Sequence, residues 1–94
     1  MPYLLIDHTV EDYEEWKPFF DDHASSRVEN GSKGGQLFHK EGEPDEVVVL
    51  FEWDSLKNAH EFATSGDLRE VMEEAGVVGE PDLRFLEKIE DVPE

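Results

Sequence analysis

Histidine and tryptophan side chains are the groups in this 94-residue chain best suited to acid–base chemistry and to binding aromatic ligands. His8 and His39 each close a predicted strand, and the predicted topology brings these two strand ends to the same edge of the sheet. Imidazole titrates near neutral pH, so either could remove a proton from a phenol-type substrate and leave an anion that reacts with oxygen. The alternative is a pair of solvent-facing histidines at strand ends.

Trp53 ends the third predicted strand where it meets a helix, a position typical of a pocket rim. An indole there could stack on a flat aromatic ligand, or it could pack in the core with its N–H bonded. We take His8, His39 and Trp53 as the candidate catalytic residues. The predicted ligand pocket is lined by Trp16, Phe20, His23, Phe51 and Phe62.

The three arginines and the remaining histidine leave further alternatives open. Arg27 lies on the apolar side of the first helix and Arg84 lies in the last strand. In so acidic a chain each is expected to pair with a carboxylate, although one could instead hold an anionic group of a ligand. His60 lies between charged residues and is expected to be exposed. The histidines do not have zinc-like spacing and the carboxylates form no calcium loop, so we predict no bound metal.

The elements that position these residues follow from hydrophobic periodicity. Residues 3–8 read as a strand with alternating faces, and residues 10–29 form a helical stripe that Thr9 caps and Pro18 interrupts. Strands are predicted at 34–40, 46–53 and 83–90, joined by a hairpin at 42–45 and by two helical pieces, the first capped by Asp54 or Ser55 and the second by Asp67. A turn is predicted at 79–81.

One strand is apolar on both faces, because Val47, Val48, Val49, Leu50 and Phe51 follow one another without alternation. Right-handed crossovers give a ferredoxin-like βαββαβ α+β domain over residues 1–94, a four-stranded antiparallel sheet with its helices on one face. The strand at 46–53 then lies centrally beside 3–8. A second copy of the chain is the predicted cover for the helix-free face, which makes a dimeric α/β barrel. The alternative is a monomer with an exposed apolar sheet.

Charge excludes several classes of function. The chain has 25 acidic residues against 8 lysines and arginines, a formal net charge of −17. It has no basic stripe for nucleic acid and would be repelled by an anionic membrane. Acidic residues spread along a chain with 37% hydrophobic content favour a folded protein adapted to high salt. The N-terminus lacks the features of a signal peptide and no apolar run is long enough to span a bilayer, so we expect a cytoplasmic location.

Three passages resemble the antibiotic-biosynthesis-monooxygenase-type proteins of the dimeric α/β-barrel superfamily, and the acidity is typical of a haloarchaeal-type member. They are residues 10–20 (VEDYEEWKPFF), 51–62 (FEWDSLKNAHEF) and 67–85. The resemblance covers nearly the whole chain and implies a ferredoxin-like homodimer with a pocket between sheet and helices. Relatives include cofactor-independent monooxygenases acting on polycyclic phenols or quinols, and haem-opening enzymes.

The chain also departs from that family's pattern. Monooxygenase and haem-degrading members place an asparagine in the first strand, which here reads YLLIDH, and haem-degrading members carry an iron-ligating histidine on the last helical piece, which here has none. Trp53 matches the family's tryptophan. The resemblance therefore implies a cofactor-independent monooxygenase or cyclase acting on an aromatic, quinol or polyketide-type compound. The alternative is a non-catalytic dimer that binds a small hydrophobic ligand or serves in a stress response.

Overall fold

The computed structural model describes all residues from Met1 to Glu94 and contains four strands and four helices. In chain order these are β1 (Pro2–Val10), α1 (Tyr13–Asp22), α2 (Ala24–Asn30), β2 (Ser32–Lys40), β3 (Glu43–Trp53), α3 (Leu56–Ala63), α4 (Gly66–Ala75) and β4 (Val77–Glu87). The strands form one antiparallel sheet in the order β2-β3-β1-β4. This confirms the predicted ferredoxin-like α+β fold, with β3 central and beside β1.

The helix-facing side of the sheet carries the core. Alternate residues of β1, among them Leu4 and Ile6, are buried, as are alternate residues of β3 from Val47 to Trp53. Trp16 of α1, Phe62 of α3 and Leu68 of α4 pack onto them. The period of two along each strand therefore points every second side chain at the helices, as the sequence predicts.

The other side of the sheet has no helical cover. Its central rows join Leu5 to Leu50 and Asp7 to Val48 across β1 and β3, and these residues are half-buried. Phe38 on β2, which pairs with Val48, is half exposed. The second apolar face of β3 thus belongs to a surface that this single chain leaves open.

The first helical segment differs from the prediction in two ways. Asp12, not Thr9, is the N-cap, since its side chain accepts a hydrogen bond from the backbone of Glu14 and Thr9 is still part of β1. The helix also passes through Pro18 and ends at His23. Pro18 is exposed, and the carbonyl that loses its helical hydrogen bond belongs to Glu14, which is also exposed, while Trp16 and Phe20 on either side hold the helix on the sheet.

Serines cap the second pair of helices. Ser55 accepts a hydrogen bond from the backbone of Asn58 at the start of α3, which is one of the two predicted caps. Ser65 does the same for Leu68 at the start of α4, so the prediction that Asp67 is the cap is wrong. Asp67 instead lies inside the first turn of α4, and its side chain is free to contact another element.

Strand boundaries also differ, and the last strand spans Val77–Glu87 rather than 83–90. The hairpin between β2 and β3 is a tight turn at Glu41 and Gly42, because β3 begins at Glu43 rather than at 46. Residues 79–81 are not a turn between elements but lie within β4, where the pairing with β1 shifts register between Asp7 and Thr9. Pairing with β2 extends β3 into the predicted hairpin, and pairing with β1 extends β4 through the predicted turn. None of the four helices is long and apolar enough to cross a bilayer.

Candidate functional site

A cavity of about 50 Å³ lies between the helix-facing side of the sheet and the helices. Ten of its thirteen lining residues are hydrophobic, and its polar groups come from two histidines and an arginine. The lining residues used below are His8, Trp16, Phe20, His23, Arg27, Phe51, Phe62 and Met72. All five residues of the predicted ligand pocket therefore lie on one cavity, and so does the candidate catalytic residue His8.

His8 is the most deeply placed ionisable group of the cavity. It lies on the buried face of β1, and its Nδ1 is 2.9 Å from the carbonyl oxygen of Val47 on β3. A carbonyl can only accept a hydrogen bond, so Nδ1 carries the proton and Nε2 of the neutral ring keeps its lone pair. Nε2 has no hydrogen-bond partner in the chain, and the ring of Trp16 lies 5.5 Å away in an edge-on arrangement.

Burial lowers the pKa of His8 below its ordinary value, an effect that the hydrogen bond to Val47 and the charge of Asp7 oppose only in part. Removing an imidazolium from water is unfavourable, so the neutral base is the dominant form at neutral pH. His8 therefore offers an unprotonated nitrogen next to an apolar cavity, which is the arrangement required of a general base.

His23 is the second histidine of the cavity, and a carboxylate of α4 holds its ring. Its Nε2 donates to the Oδ2 of Asp67 on α4 at 2.9 Å, and Ser26 donates to the same oxygen at 3.3 Å. The hydrogen bond from His23 lowers the pKa of Asp67. The His23 ring also packs against Phe62. This contact ties the junction between α1 and α2 to the first turn of α4.

Aromatic rings form one wall of the cavity. Trp16 and Phe20 lie 4.9 Å apart along α1, and Phe20 stacks on Phe51 of β3 with the ring planes within 12°. Flat rings at these separations provide a surface on which a planar aromatic molecule can stack. The helical stripe of α1 therefore supplies two of the rings that line this cavity.

Arg27 of α2 lies over this wall. Its Nη1 donates to the carbonyl of Phe20 at 2.8 Å, and its guanidinium carbon lies 4.1 Å from the Phe20 ring centre and 5.1 Å from that of Phe51. Burial lowers the pKa of Arg27, and the charge of Asp21 partly opposes this. By contrast, Arg84 bonds the carboxylate of Asp82, the pairing that was expected of both arginines.

A second depression opens beside the cavity, between α1–α2 and strand β2. This groove has a volume of about 340 Å³ and shares Phe20, Arg27, Val49 and Phe51 with the cavity. Gly34 and Gly35 form part of its floor on β2. The Phe20 and Phe51 rings and Arg27 therefore border both spaces.

The other two candidate catalytic residues lie outside the cavity. Trp53 shares the buried face of β3 with Phe51 but is wholly buried behind Phe62, with the ring centres 5.0 Å apart, and its indole N–H has no partner. His39 lies on β2 and pairs with Val47 of the central strand β3, while His8 on β1 pairs with Val47 from the other side. Val47 therefore lies between the two histidines, and the side chain of His39 is exposed. The exposed His60 stacks on Phe85, with ring centres 3.7 Å apart.

No group of three or more histidine and carboxylate side chains is arranged as it would be around a metal ion. Sequence reasoning did not identify Asp67 as part of the site. His23 and Asp67 are 44 positions apart, and only the packing of α4 beside α1 and α2 brings them together. No local spacing could have indicated this pair.

Solved structures with the same fold include several antibiotic biosynthesis monooxygenases. SnoaB, a cofactor-independent oxygenase from Streptomyces nogalater, superposes with a TM-score of 0.78 at 12% identity, covering 99% of this chain and 97% of its own. A candidate antibiotic biosynthesis monooxygenase from Bordetella bronchiseptica gives 0.76 at 15% identity, covering 94% and 96%. One from Caulobacter crescentus gives 0.74 at 18% identity, covering 95% and 90%.

No protein-family model matches the chain, and no curated protein matches it by sequence. The structural likeness confirms that the family suggested by the sequence resemblance has the fold seen here. At identities below one fifth it establishes the fold alone, because one fold can carry many activities.

Proposed function

We propose that this protein is a cofactor-independent oxygenase or cyclase-like enzyme that acts on an aromatic, quinol or polyketide-type compound, with His8 as its general base. One observation carries the proposal. The bond from His8 Nδ1 to Val47 leaves an unprotonated Nε2 beside an apolar cavity with aromatic walls. The shared fold with SnoaB supports the same class of reaction.

The chemistry needs a substrate that supplies its own electrons. An anthrone is such a compound, because loss of a proton from its CH₂ group gives an electron-rich enolate. His8 Nε2 accepts that proton, and the enolate passes an electron to O₂ before the two radicals combine as a peroxide. Loss of water then leaves a ketone, so one oxygen atom enters the product and the other leaves as water with the two CH₂ hydrogens. Neither a metal nor a flavin is required.

Substrate entry requires the cavity to widen. A volume of about 50 Å³ holds a few water molecules, whereas pockets for drug-sized ligands measure roughly 300–1,000 Å³. The half-buried walls Phe20, Arg27 and Met72 are the groups that can move, since each borders solvent on one side. Displacing Phe20 and Arg27 joins the cavity to the groove of about 340 Å³.

We also propose that the working unit is a homodimer formed through the helix-free face of the sheet. Leu5, Val48 and Leu50 form an apolar strip at the centre of that face, with Phe38 beside it. A second sheet packed against this strip would bury it and complete a closed barrel. The cavity lies on the opposite side of the sheet, so each subunit would hold its own site.

Oxygen uptake with a panel of anthrones and quinols tests the enzyme proposal. His8→Asn keeps a short amide that can donate to the Val47 carbonyl but has no basic nitrogen, so kcat should fall by about 10²–10⁴-fold. His39→Asn, on the exposed strand β2, is the matched control and should keep full activity. Uptake no faster than in buffer with every compound, or equal rates in both variants, would reject the assignment.

The second candidate function is binding of a small hydrophobic ligand without turnover. The position of Trp53 outside the cavity favours this alternative, because the tryptophan that matches the family's pattern cannot act on a ligand there. Calorimetric binding of the same anthrones without oxygen uptake would support it over catalysis.

A further inference from the structure

Arg27 is an unusual cation in this protein because it has no carboxylate partner. Among the eight lysines and arginines, Lys17, Lys40, Lys57, Arg84 and Lys88 lie within 4 Å of an acidic side chain. Of the three that do not, Lys33 and Arg69 are exposed and Arg27 is half-buried. A chain with 25 acidic residues has thus left its one half-buried guanidinium unneutralised.

The nearest source of negative charge is already engaged. Asp21 acts on Arg27 through space, but both of its carboxylate oxygens bond Lys17 Nζ at 2.7 Å. A guanidinium has five N–H donors in a planar fork, and the bond to the Phe20 carbonyl uses one of them. The other donors of Arg27 have no acceptor within the chain.

The position of this guanidinium is also informative. It lies over the Phe20 and Phe51 rings, at the boundary that the cavity and the groove share. A planar molecule that lies along the edges of those rings would have a substituent next to the free donors. A carboxylate is the group that such a fork binds best, through two parallel charge-assisted hydrogen bonds.

We propose that Arg27 binds the carboxylate of an aromatic carboxylic acid whose ring system lies along the Phe20–Phe51 wall, between the cavity and the groove. This deepens the proposed function by naming a substrate class, and it rests on that function in taking the same cavity as the ligand site. His8 and His23 line the cavity into which the ring system extends.

A purely structural role for Arg27 is the competing explanation. Its hydrogen bond to Phe20 caps a carbonyl in the last turn of α1, and its cation–π contacts hold α2 against the sheet. These contacts use one N–H and one face of the group. They predict lower stability after substitution but no preference for a charged ligand, so the two roles can be separated by a binding measurement.

The test compares two ligands that differ only in charge. Calorimetric titration of the full chain in molar KCl with 2-naphthoate and with 2-naphthamide should give a Kd at least tenfold lower for the acid. Arg27→Gln should remove that preference, and Arg27→Lys should keep part of it. Arg69→Gln removes an exposed cation on α4 and should leave the preference unchanged.

Equal affinity for the two ligands, binding of neither at millimolar concentration, or an unchanged preference in Arg27→Gln would overturn the proposal. If Arg27→Gln fails to fold, Arg27→Lys still tests the assignment to Arg27, and the absence of a preference in the native chain overturns the proposal without any variant. Oxygen uptake is a separate readout. Selective naphthoate binding without turnover of any anthrone would reject the oxygenase and keep the carboxylate site, whereas turnover with no charge preference would do the reverse.

Discussion

The Nδ1 of His8 on β1 donates a hydrogen bond of 2.9 Å to the carbonyl oxygen of Val47 on β3. The two residues are direct partners in the antiparallel ladder, so the strand register fixes the ring. This one bond selects the tautomer, leaves Nε2 without a proton and holds a titratable side chain on the buried face of a strand. The pairing of β1 with β3 therefore determines the protonation state on which the proposed chemistry depends.

The pH dependence of activity should follow from the buried position of His8. Burial lowers its pKa below the ordinary 6.5, and the unprotonated ring is the active form. We expect kcat/KM for an anthrone to be constant from pH 7 upward and to fall only in acid, below 6.5. An acidic limb centred above pH 7 would contradict the assignment of His8 as the base.

Stability should depend on the same group, with a defined sign. The unfolded chain binds a proton at His8 more readily than the folded chain, so the free energy of unfolding decreases as pH falls below 6.5. His8→Asn lacks this titration. The stability of the native chain minus that of His8→Asn should shrink between pH 7 and pH 5, by at most about 1.4 kcal/mol per pH unit.

Urea unfolding in molar KCl measures this difference while salt screens the other charges. His39→Asn is the control, because it removes an exposed histidine of strand β2 and leaves His8 in place. A difference between native chain and His8→Asn that stays constant from pH 7 to pH 5 would show that burial does not perturb His8.

Trp53 should matter for stability more than for catalysis. Its ring is wholly buried behind Phe62 and its N–H has no partner. Trp53→Phe leaves a small void but removes an unsatisfied donor, so the cost should be about 1–2 kcal/mol, against about 3–5 kcal/mol for Trp53→Ala. Oxygen uptake at temperatures where Trp53→Phe is folded should stay within about threefold of the native rate. A much larger loss of oxygen uptake would show that Trp53 takes part in the reaction.

The fold was predictable because burial imposes simple periods. The alternation in β1 assigned Leu4, Ile6 and His8 to one face, and the unbroken apolar run of β3 predicted cover on both of its faces, of which the structure shows the helical one. Pro18 and residues 79–81 were misleading because tertiary packing and strand pairing outweigh local breaking signals. Their effects are invisible until the partner elements are in place.

The site was predictable only in part, for the same reason. The helical stripe of α1 placed Trp16 and Phe20 against the sheet, which is where the cavity wall lies. Two features of the site depend on how α2 and α4 are arranged relative to each other. They are the contact between His23 and Asp67 and the absence of a carboxylate beside Arg27. No single segment contains that information.

Dimer formation should depend on the helix-free face of the sheet. Leu50→Lys places a charge in the centre of that face without adding to the net negative charge. Sedimentation velocity at micromolar concentration in molar KCl should give twice 10.8 kDa for the native chain and single subunits for the variant. Val28→Lys, at a position 67% exposed on α2, should remain dimeric. Single subunits in the native chain would disprove the proposed barrel.

Two glycines should respond in opposite ways to the same substitution. A Cβ on Gly35 would collide with the backbone carbonyl of Leu50 on the neighbouring strand, whereas one on Gly66 would meet nothing. Gly35→Ala should lower the free energy of unfolding by about 3 kcal/mol through overpacking. Gly66→Ala, in the first turn of α4, should raise it by about 0.5 kcal/mol. Similar urea midpoints for the two variants would show that β2 can move away from β3.

Salt should stabilise the native chain, because its net charge of −17 repels itself in the folded state. At 0.01 M ionic strength the Debye length is about 30 Å, close to the dimensions of the subunit, which extends 35 × 33 × 20 Å. At this low ionic strength nearly every pair of carboxylates in the chain repels. At 1 M the Debye length is about 3 Å, so only neighbouring carboxylates repel each other.

Each kcal/mol of repulsion removed by salt should raise Tm by about 4–8 °C in a domain of this size. We therefore expect Tm to increase between 0.01 M and 1 M KCl. The increase should be larger than in a variant with Glu14, Glu15, Glu73 and Glu74 replaced by Gln, since these side chains are exposed on α1 and α4. KCl is used because sulfate also strengthens the burial of apolar surface, which would add to the screening of charge. A Tm independent of KCl would contradict the adaptation to high salt that the composition predicts.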